Sequence, residues 1–431
     1  MRGVMTYNDQ AALHPDSRRY PRDHLMPEPI AATQRDFIVR HPLLTALALS
    51  LGTAIALGVA RFSYALLLSP MRTDLGWPYL IAGGMNTGNA LGYLLGALVT
   101  PPLMRRFGTH KMLIGGALAT AFFIILSGLF IDTATLLALR IVTGAVSAFI
   151  FISGGILISR LAALHPQRAG FLLGLFYGGS GLGIVASAWL VPATMAAATA
   201  HGVAHSWQWA WLAMGLLSLV ATVFMAPPAL RIPALPPQAQ GAGQFRLRTL
   251  GFGLAGYFMF GLGYIGYMTF VIALLKEQGM AASMITLFYT LLGLAVVASS
   301  RLWAGMLDKF KGGESLAILN ALLSAATLLP AVTAAPAAVF VSGLLFGGVF
   351  LSAVASTTAL VRHNLPPASW SLGISAFTIV FAAGQIVGPS IVGWIADRSG
   401  GLQQGLLFSA LSLLVGALLA WRQRPLHLLK N

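Results

Sequence analysis

Residues 43–68 read LLTALALSLGTAIALGVARFSYALLL and hold one charged side chain, Arg61. About 20 consecutive apolar residues cross the hydrocarbon of a bilayer as a helix, and this stretch exceeds that length. The pattern recurs down the chain. Spans are expected at 43–68, 78–100, 111–131, 134–160, 169–193 and 207–226, then at 249–275, 281–304, 315–332, 336–361, 369–396 and 402–421. Several are longer than the hydrocarbon requires, which predicts tilted helices. The fold class that follows is an all-α membrane protein of twelve transmembrane helices. Composition agrees: 57% of the 431 residues are apolar and only 9% are charged, whereas about a quarter are charged in soluble proteins. The absence of cysteine excludes disulfides, thiolate metal sites and thiol nucleophiles.

Residues 1–41 mix both charge signs with Pro and His and lack apolar periodicity, which reads as a disordered cytoplasmic tail. No apolar h-region follows the basic start, so it is not a secretory signal. The stretch 227–248, rich in Pro, Gly and Gln, reads as a flexible linker. It divides the chain into a six-helix bundle at 42–226 and another at 249–422, with a short cytoplasmic tail at 423–431. The net charge of +15 suggests nucleic acid until the bases are placed. Arg105, Arg106, Lys111, Arg160, Arg168, Arg231, Lys309, Lys311, Arg362 and Arg422 fall on one set of loops, and only Arg72, Lys276 and Arg398 on the other. This bias is the positive-inside pattern. It places both termini in the cytoplasm and removes the nucleic-acid reading.

Local motifs add a resemblance. Arg140-Ile-Val-Thr-Gly144-Ala-Val-Ser-Ala148, Gly174-Leu-Phe-Tyr-Gly178-Gly-Ser-Gly-Leu-Gly183, Ser206-Trp-Gln-Trp-Ala-Trp211 and Gly388-Pro-Ser-Ile-Val-Gly393-Trp-Ile-Ala-Asp397-Arg398 resemble motifs of the major facilitator superfamily. Gly58-Val-Ala-Arg61-Phe-Ser-Tyr64 and the segment from Phe260 to Phe270 are similar to its bacterial YbfB/YjiJ-type branch. Two departures stand out. Gly179 occupies the place of a usual proline, and the loop Pro101-Pro-Leu-Met-Arg105-Arg106-Phe-Gly108 lacks the Gly and Asp of the superfamily's charge-relay latch. The resemblance implies the major facilitator fold, a cytoplasmic (inner) membrane location in a bacterium, and a central cavity lined by helices one, four, seven and ten.

Charges inside the spans are the first functional candidates. An arginine near a span's middle costs about 2.5–3.5 kcal/mol on insertion scales. Arg61 and Arg140 lie well inside, on the order of 10 Å above their helix midpoints at a rise of 1.5 Å per residue. No acidic residue lies inside any span. A guanidinium without an acid suits an anion. The competing readings are that Arg140 clamps neighbouring carbonyls and that Arg61 snorkels to the interface. Arg61 shares a helical face with Ser50, Thr53, Leu57 and Tyr64, and Asn86, Asn89, Tyr93, Gly96 and Thr100 form a second face. A single helix–helix hydrogen bond would also account for the asparagines. Tyr257, Phe260, Tyr264 and Tyr267 form an aromatic stripe, and Tyr267, counted from its span start, stands where Arg61 stands. Ser356 and Gln385 complete the candidate substrate-binding set. Gly174, Gly178, Gly384 and Gly388 are read as close-packing positions that let helices rock.

The function this predicts is a monomeric secondary transporter that moves a small organic anion by alternating access. The alternative is an efflux pump for neutral or cationic amphiphiles, although the buried carboxylate usual for that work is missing. No cofactor motif, metal cluster or acid–base–nucleophile set is present, which argues against an enzyme. The coupling ion stays open, because no Asp, Glu or His lies within a span.

Overall fold

The computed structural model describes residues 40–233, 247–366, 369–398 and 400–426. Apart from Arg40 and His41, the tail expected at 1–41 lies outside these, as does most of the linker.

Without water in the hydrocarbon, a spanning backbone must satisfy its own hydrogen bonds, and a helix does so locally. Twelve long helices result. They are α1 (Pro42–Leu75), α2 (Tyr79–Phe107), α3 (Thr109–Ser127), α4 (Thr133–Leu164), α5 (Ala169–Ala200) and α6 (Ser206–Leu230). After the linker come α7 (Gly251–Glu277), α8 (Ala282–Leu302), α9 (Glu314–Val332), α10 (Pro336–Asn364), α11 (Trp370–Arg398) and α12 (Gly401–Trp421). Each expected span is one helix. Several run past the apolar limit, because hydrogen bonding continues until a residue stops it. Pro70 lies inside α1, Pro101 and Pro102 inside α2, and Pro227 and Pro228 inside α6. The last pair gives α6 the first residues of the expected linker. Gly76, with φ of 65°, ends α1 in the left-handed region. Asp132 caps α4 by accepting the Thr135 N–H at 2.8 Å, which holds its carboxyl below the usual carboxylate range.

Among the described residues, eleven helices are long and apolar enough to cross a membrane. The remaining long helix, α2, is diluted by its glycines, asparagines and terminal arginines. Its glycines have a use. A Cβ at Gly92 would overlap the Ile141 carbonyl of α4, and one at Gly144 of α4 would overlap the Asn89 carbonyl of α2. The two backbones therefore touch, as small residues allow in membrane helices. On the outside of the bundle Leu98, Phe122, Trp189, Leu216, Val223 and Phe224 are exposed. Such an apolar belt is a liability in water and a match for lipid.

The halves meet where α2 crosses α11, where α5 crosses α8, and where the second part of α1 lies against α7. Gly83 abuts the Pro389 carbonyl, Gly393 abuts the Tyr79 carbonyl, and Gly181 faces Gly293. Of the glycines expected at rocking positions, Gly178 lies on this seam against Val297. Gly384 and Gly388 instead pack on Phe258 and Leu262 of α7, within their own half. Gly174 is half-buried. Helix α11 presents two small-residue faces, and the one toward α2 carries Gly393 rather than this pair.

At one end the halves are latched. Both carboxylate oxygens of Asp397 in α11 accept backbone N–H groups at the start of α2, from Tyr79 and Leu80, each at 2.8 Å. A carboxylate is favourable at a helix N-terminus. The Tyr79 hydroxyl bonds Glu277, the last residue of α7, and the Arg72 guanidinium lies 3.8 Å from the Tyr79 ring centroid. Toward the other end the polar face of α11 emerges, with Ser375 and Thr378 exposed.

Candidate functional site

Helix α1 is irregular at its centre. Between Pro42–Thr53 and Tyr64–Leu75 the segment Ala54–Phe62 is π-helical and contains Arg61. Widening a turn displaces backbone bonding, and π-segments recur at functional sites. Here the Ser63 N–H reaches back five residues to the Gly58 carbonyl, and the Leu66 N–H takes Ser63 rather than Phe62. The Phe62 carbonyl accepts the Tyr289 hydroxyl of α8 at 2.6 Å. The Ala60 carbonyl accepts Arg140 Nη1 of α4 at 2.7 Å. Side chains from both halves thus hold the disturbed turn.

Arg61 and Arg140 are 4% and 3% exposed, yet their surroundings differ. Arg140 is tied down. Its Nη2 donates to Asn86 Oδ1 at 3.0 Å, and its guanidinium lies 4.9 Å from the Tyr64 ring and 5.6 Å from the Trp211 ring. Its own carbonyl accepts Asn89 Nδ2 at 3.2 Å. This is the clamp arrangement. Arg61 is held more loosely. Nε donates to Asn89 Oδ1 at 3.2 Å and Nη1 to Gln385 Oε1 of α11 at 3.3 Å. Its Nη2 has no partner, and the Tyr93 ring centroid is 5.2 Å from its Cζ. Among the described residues no ion pair reaches either arginine. A buried guanidinium with an unpaired nitrogen and no carboxylate has the chemistry to receive an anion; Arg140 also leaves a nitrogen, Nε, without a partner.

The expected site residues sort into two layers and two outliers. Arg61, Tyr93, Gln385 and Tyr264 come together, the Gln385 amide donating to the Tyr264 hydroxyl. Behind them lie Arg140, Asn86 and Tyr64. Asn86 Nδ2 donates to Thr269 of α7 at 2.7 Å, and the Tyr64 hydroxyl donates to the Ala82 carbonyl at 2.8 Å. Tyr267 is not part of this group. Its hydroxyl is 2.7 Å from Ser342 of α10 and its ring stacks on Phe346 at 4.0 Å. Ser356 is also elsewhere engaged, donating to Ala353 of its own helix at 2.7 Å. The physical reason is rotational. Two residues at matching depth in related helices share a level, but their azimuths depend on local helix phase, and the π-segment shifts that phase in α1 alone.

Sequence reasoning passed over Thr269, Tyr289 and Phe381. Only Phe381 left a usable signal: it lies four residues before Gln385, hence one helical turn away on the same helix.

With this geometry in hand, comparison with known proteins is informative. The family model described as "Uncharacterised MFS-type transporter YbfB" matches residues 53–421. A relative named "Putative tartrate transporter" from Agrobacterium vitis is 28% identical over 158 residues, which are 34% of each chain, so the match spans about a third of that relative's length. A bacterial homolog of the human lysosomal transporter Spinster, in an inward-facing and unoccupied conformation, aligns with a TM-score of 0.66 at 13% identity. That alignment covers 92% of this chain and 97% of the other. The nucleoside transporter NupG aligns with a TM-score of 0.65 at 13% identity, over 88% and 100%. FucP in the outward conformation aligns with a TM-score of 0.59 at 15% identity, over 88% and 98%. At these identities the solved structures establish the fold alone. Together with the twelve long helices, the family match makes this a multi-pass membrane protein that carries a small molecule by secondary transport, and not an enzyme. The chain belongs to the major facilitator superfamily, in its YbfB-type family of transporters.

Proposed function

We propose that the substrate is a small organic anion and that Arg61 receives it. The observation carrying this is the free Nη2 of a 4% exposed arginine that has no acidic neighbour. Such a charge inside a span costs about 2.5–3.5 kcal/mol on insertion scales, and a bound carboxylate offsets much of that. Gln385 Oε1, from the opposite half, competes for the same guanidinium. Anion binding therefore loosens a bond between the halves, which is the coupling that alternating access needs. In this reading 42–226 and 249–422 rock as units joined by 227–248, the protein acts as a monomer, and both termini face the cytoplasm of a bacterial cell. The Asp397 latch then closes the outer end, and the polar face of Ser375 and Thr378 opens inward. The tartrate name of the relative is in keeping with an anionic cargo.

The test is uptake of radiolabelled carboxylates into proteoliposomes by wild type, Arg61→Ala and Arg61→Lys. Wild type is expected to transport, Lys weakly, and Ala at background. Full uptake by the Ala variant would sink the proposal. A second reading, efflux of neutral or cationic amphiphiles, draws on the aromatic column along α7. It predicts lower drug sensitivity in an overexpressing strain, with Arg61→Ala keeping that effect.

A further inference from the structure

Resting on the anion reading above, the side chains around Arg61 narrow the chemistry of the anion. Tyr257, Phe260 and Tyr264 of α7 stack with Phe381 of α11, their centroids 4.9–5.5 Å apart and their planes within 12–19° of one another. Tyr264 extends the column onto Phe350, 5.9 Å away at 8°. Packing alone favours a mixture of edge and face contacts, and the first half shows that mixture: Tyr93 meets Phe151 at 63° and Phe151 meets Tyr177 at 50°. The faces of this column are aligned, and Phe377 meets it edge-on at Tyr257, at 64°.

Its least buried member is Phe381. Tyr257, Phe260, Tyr264 and Phe350 are all buried, whereas Phe381 is half-exposed. One turn further along α11, Gln385 bonds Arg61. A partly exposed aromatic ring thus lies one helical turn, about 5.4 Å of rise, from the glutamine that holds the Arg61 guanidinium. Tyr93, half-buried, borders the arginine from the other half. The polar inventory is equally restrictive. Nε and Nη1 of Arg61 are engaged, and Arg140, with both Nη atoms bonded within the clamp, keeps only the single N–H of its Nε unpaired. Arg61 Nη2, with two N–H groups, serves one carboxylate. A second carboxylate on the same molecule would find at most the single N–H of Arg140 Nε, too few donors for its two oxygens, which is costly.

We infer that the cargo class is a planar aromatic monocarboxylate, its ring laid on Phe381 and its carboxylate on Arg61 Nη2. Phe381 is then the specificity-determining residue of the site.

The experiment is calorimetric titration of the full chain in lipid nanodiscs with benzoate, cyclohexanecarboxylate, L-tartrate and benzamide. Benzoate is expected to bind about tenfold tighter than the saturated ring of equal charge. Phe381→Leu should shrink that ratio to about twofold, and Phe381→Trp should restore it. Equal affinity for the two rings in wild type, or an unchanged ratio in a folded Leu variant, overturns the inference. If the Leu variant does not fold, the wild-type ratio still decides. Tightest binding of tartrate removes the aromatic class and leaves the anion reading standing. Benzamide binding as tightly as benzoate removes the anion reading and the carboxylate with it. Binding of none of the four overturns both.

Discussion

Two buried arginines, Arg140 and Arg61, are held by different hydrogen bonds. Arg140 donates to a backbone carbonyl and a buried asparagine at 2.7 and 3.0 Å and leaves Nε unpaired, whereas Arg61 makes two bonds longer than 3.1 Å and leaves Nη2, with its two N–H groups, unpaired. Removing the first leaves Asn86 Oδ1 buried without its donor, at about 1–3 kcal/mol, and takes a bond from the Ala60 carbonyl. Removing the second also relieves an uncompensated charge. Arg140→Ala is therefore expected to lower the thermal unfolding temperature of the detergent-purified protein by several degrees, while Arg61→Ala leaves it unchanged or raised. Equal losses in both variants would show that Arg61 is as structural as its neighbour. Little of this asymmetry was legible in the sequence. Both residues read as lone charges in apolar spans, and only their partners separate them.

At the scale of the element, α1 is the unusual helix. Its π-segment shifts the backbone bonding and frees the Phe62 carbonyl, which Tyr289 of the other half takes up. Tyr289→Phe keeps the ring and deletes the donor. It is expected to cost about 1 kcal/mol, the usual size of an interhelical hydrogen bond in a membrane, and to speed amide exchange between Ser63 and Leu66. Exchange at the wild-type rate would mean that the hydroxyl does not hold this turn. Helix α2 makes the second case. Gly92→Leu should prevent α2 and α4 from closing and abolish the monodisperse folded protein in size-exclusion chromatography, because Gly92 meets backbone that cannot yield. The twelve spans themselves were legible from apolar length. The π-segment was not, since nothing in LGVARFSY distinguishes it from ordinary helix.

For the whole molecule, the relevant fact is how the halves meet at the end that carries the Asp397 latch. Thr87 Oγ1 of α2 and Ser390 Oγ of α11 are 2.8 Å apart on that seam. The chain has no native cysteine, so Thr87→Cys with Ser390→Cys introduces the only thiols, close enough to bond with little backbone movement. Oxidised protein is expected to lose uptake, and reduction to restore it. Undiminished uptake with the cross-link complete on a gel would show that this end never opens during transport.

Membrane residence and the six-plus-six layout follow from the sequence by itself, because hydrocarbon tolerates only long apolar helices and because a polar, proline-rich break marks the midpoint. Arg61 and Arg140 could be picked out the same way, since a charge in lipid is conspicuous. Tertiary structure decided how those charges are held. Whether a buried guanidinium is satisfied depends on which carbonyls and amides neighbouring helices bring within 3 Å. That is set by helix rotation and by one π-helical turn, and neither leaves a mark in apolar periodicity. The opening stretch at 43–68 thus announces a spanning helix with a lone arginine, and only the packing around it leaves that arginine one nitrogen free.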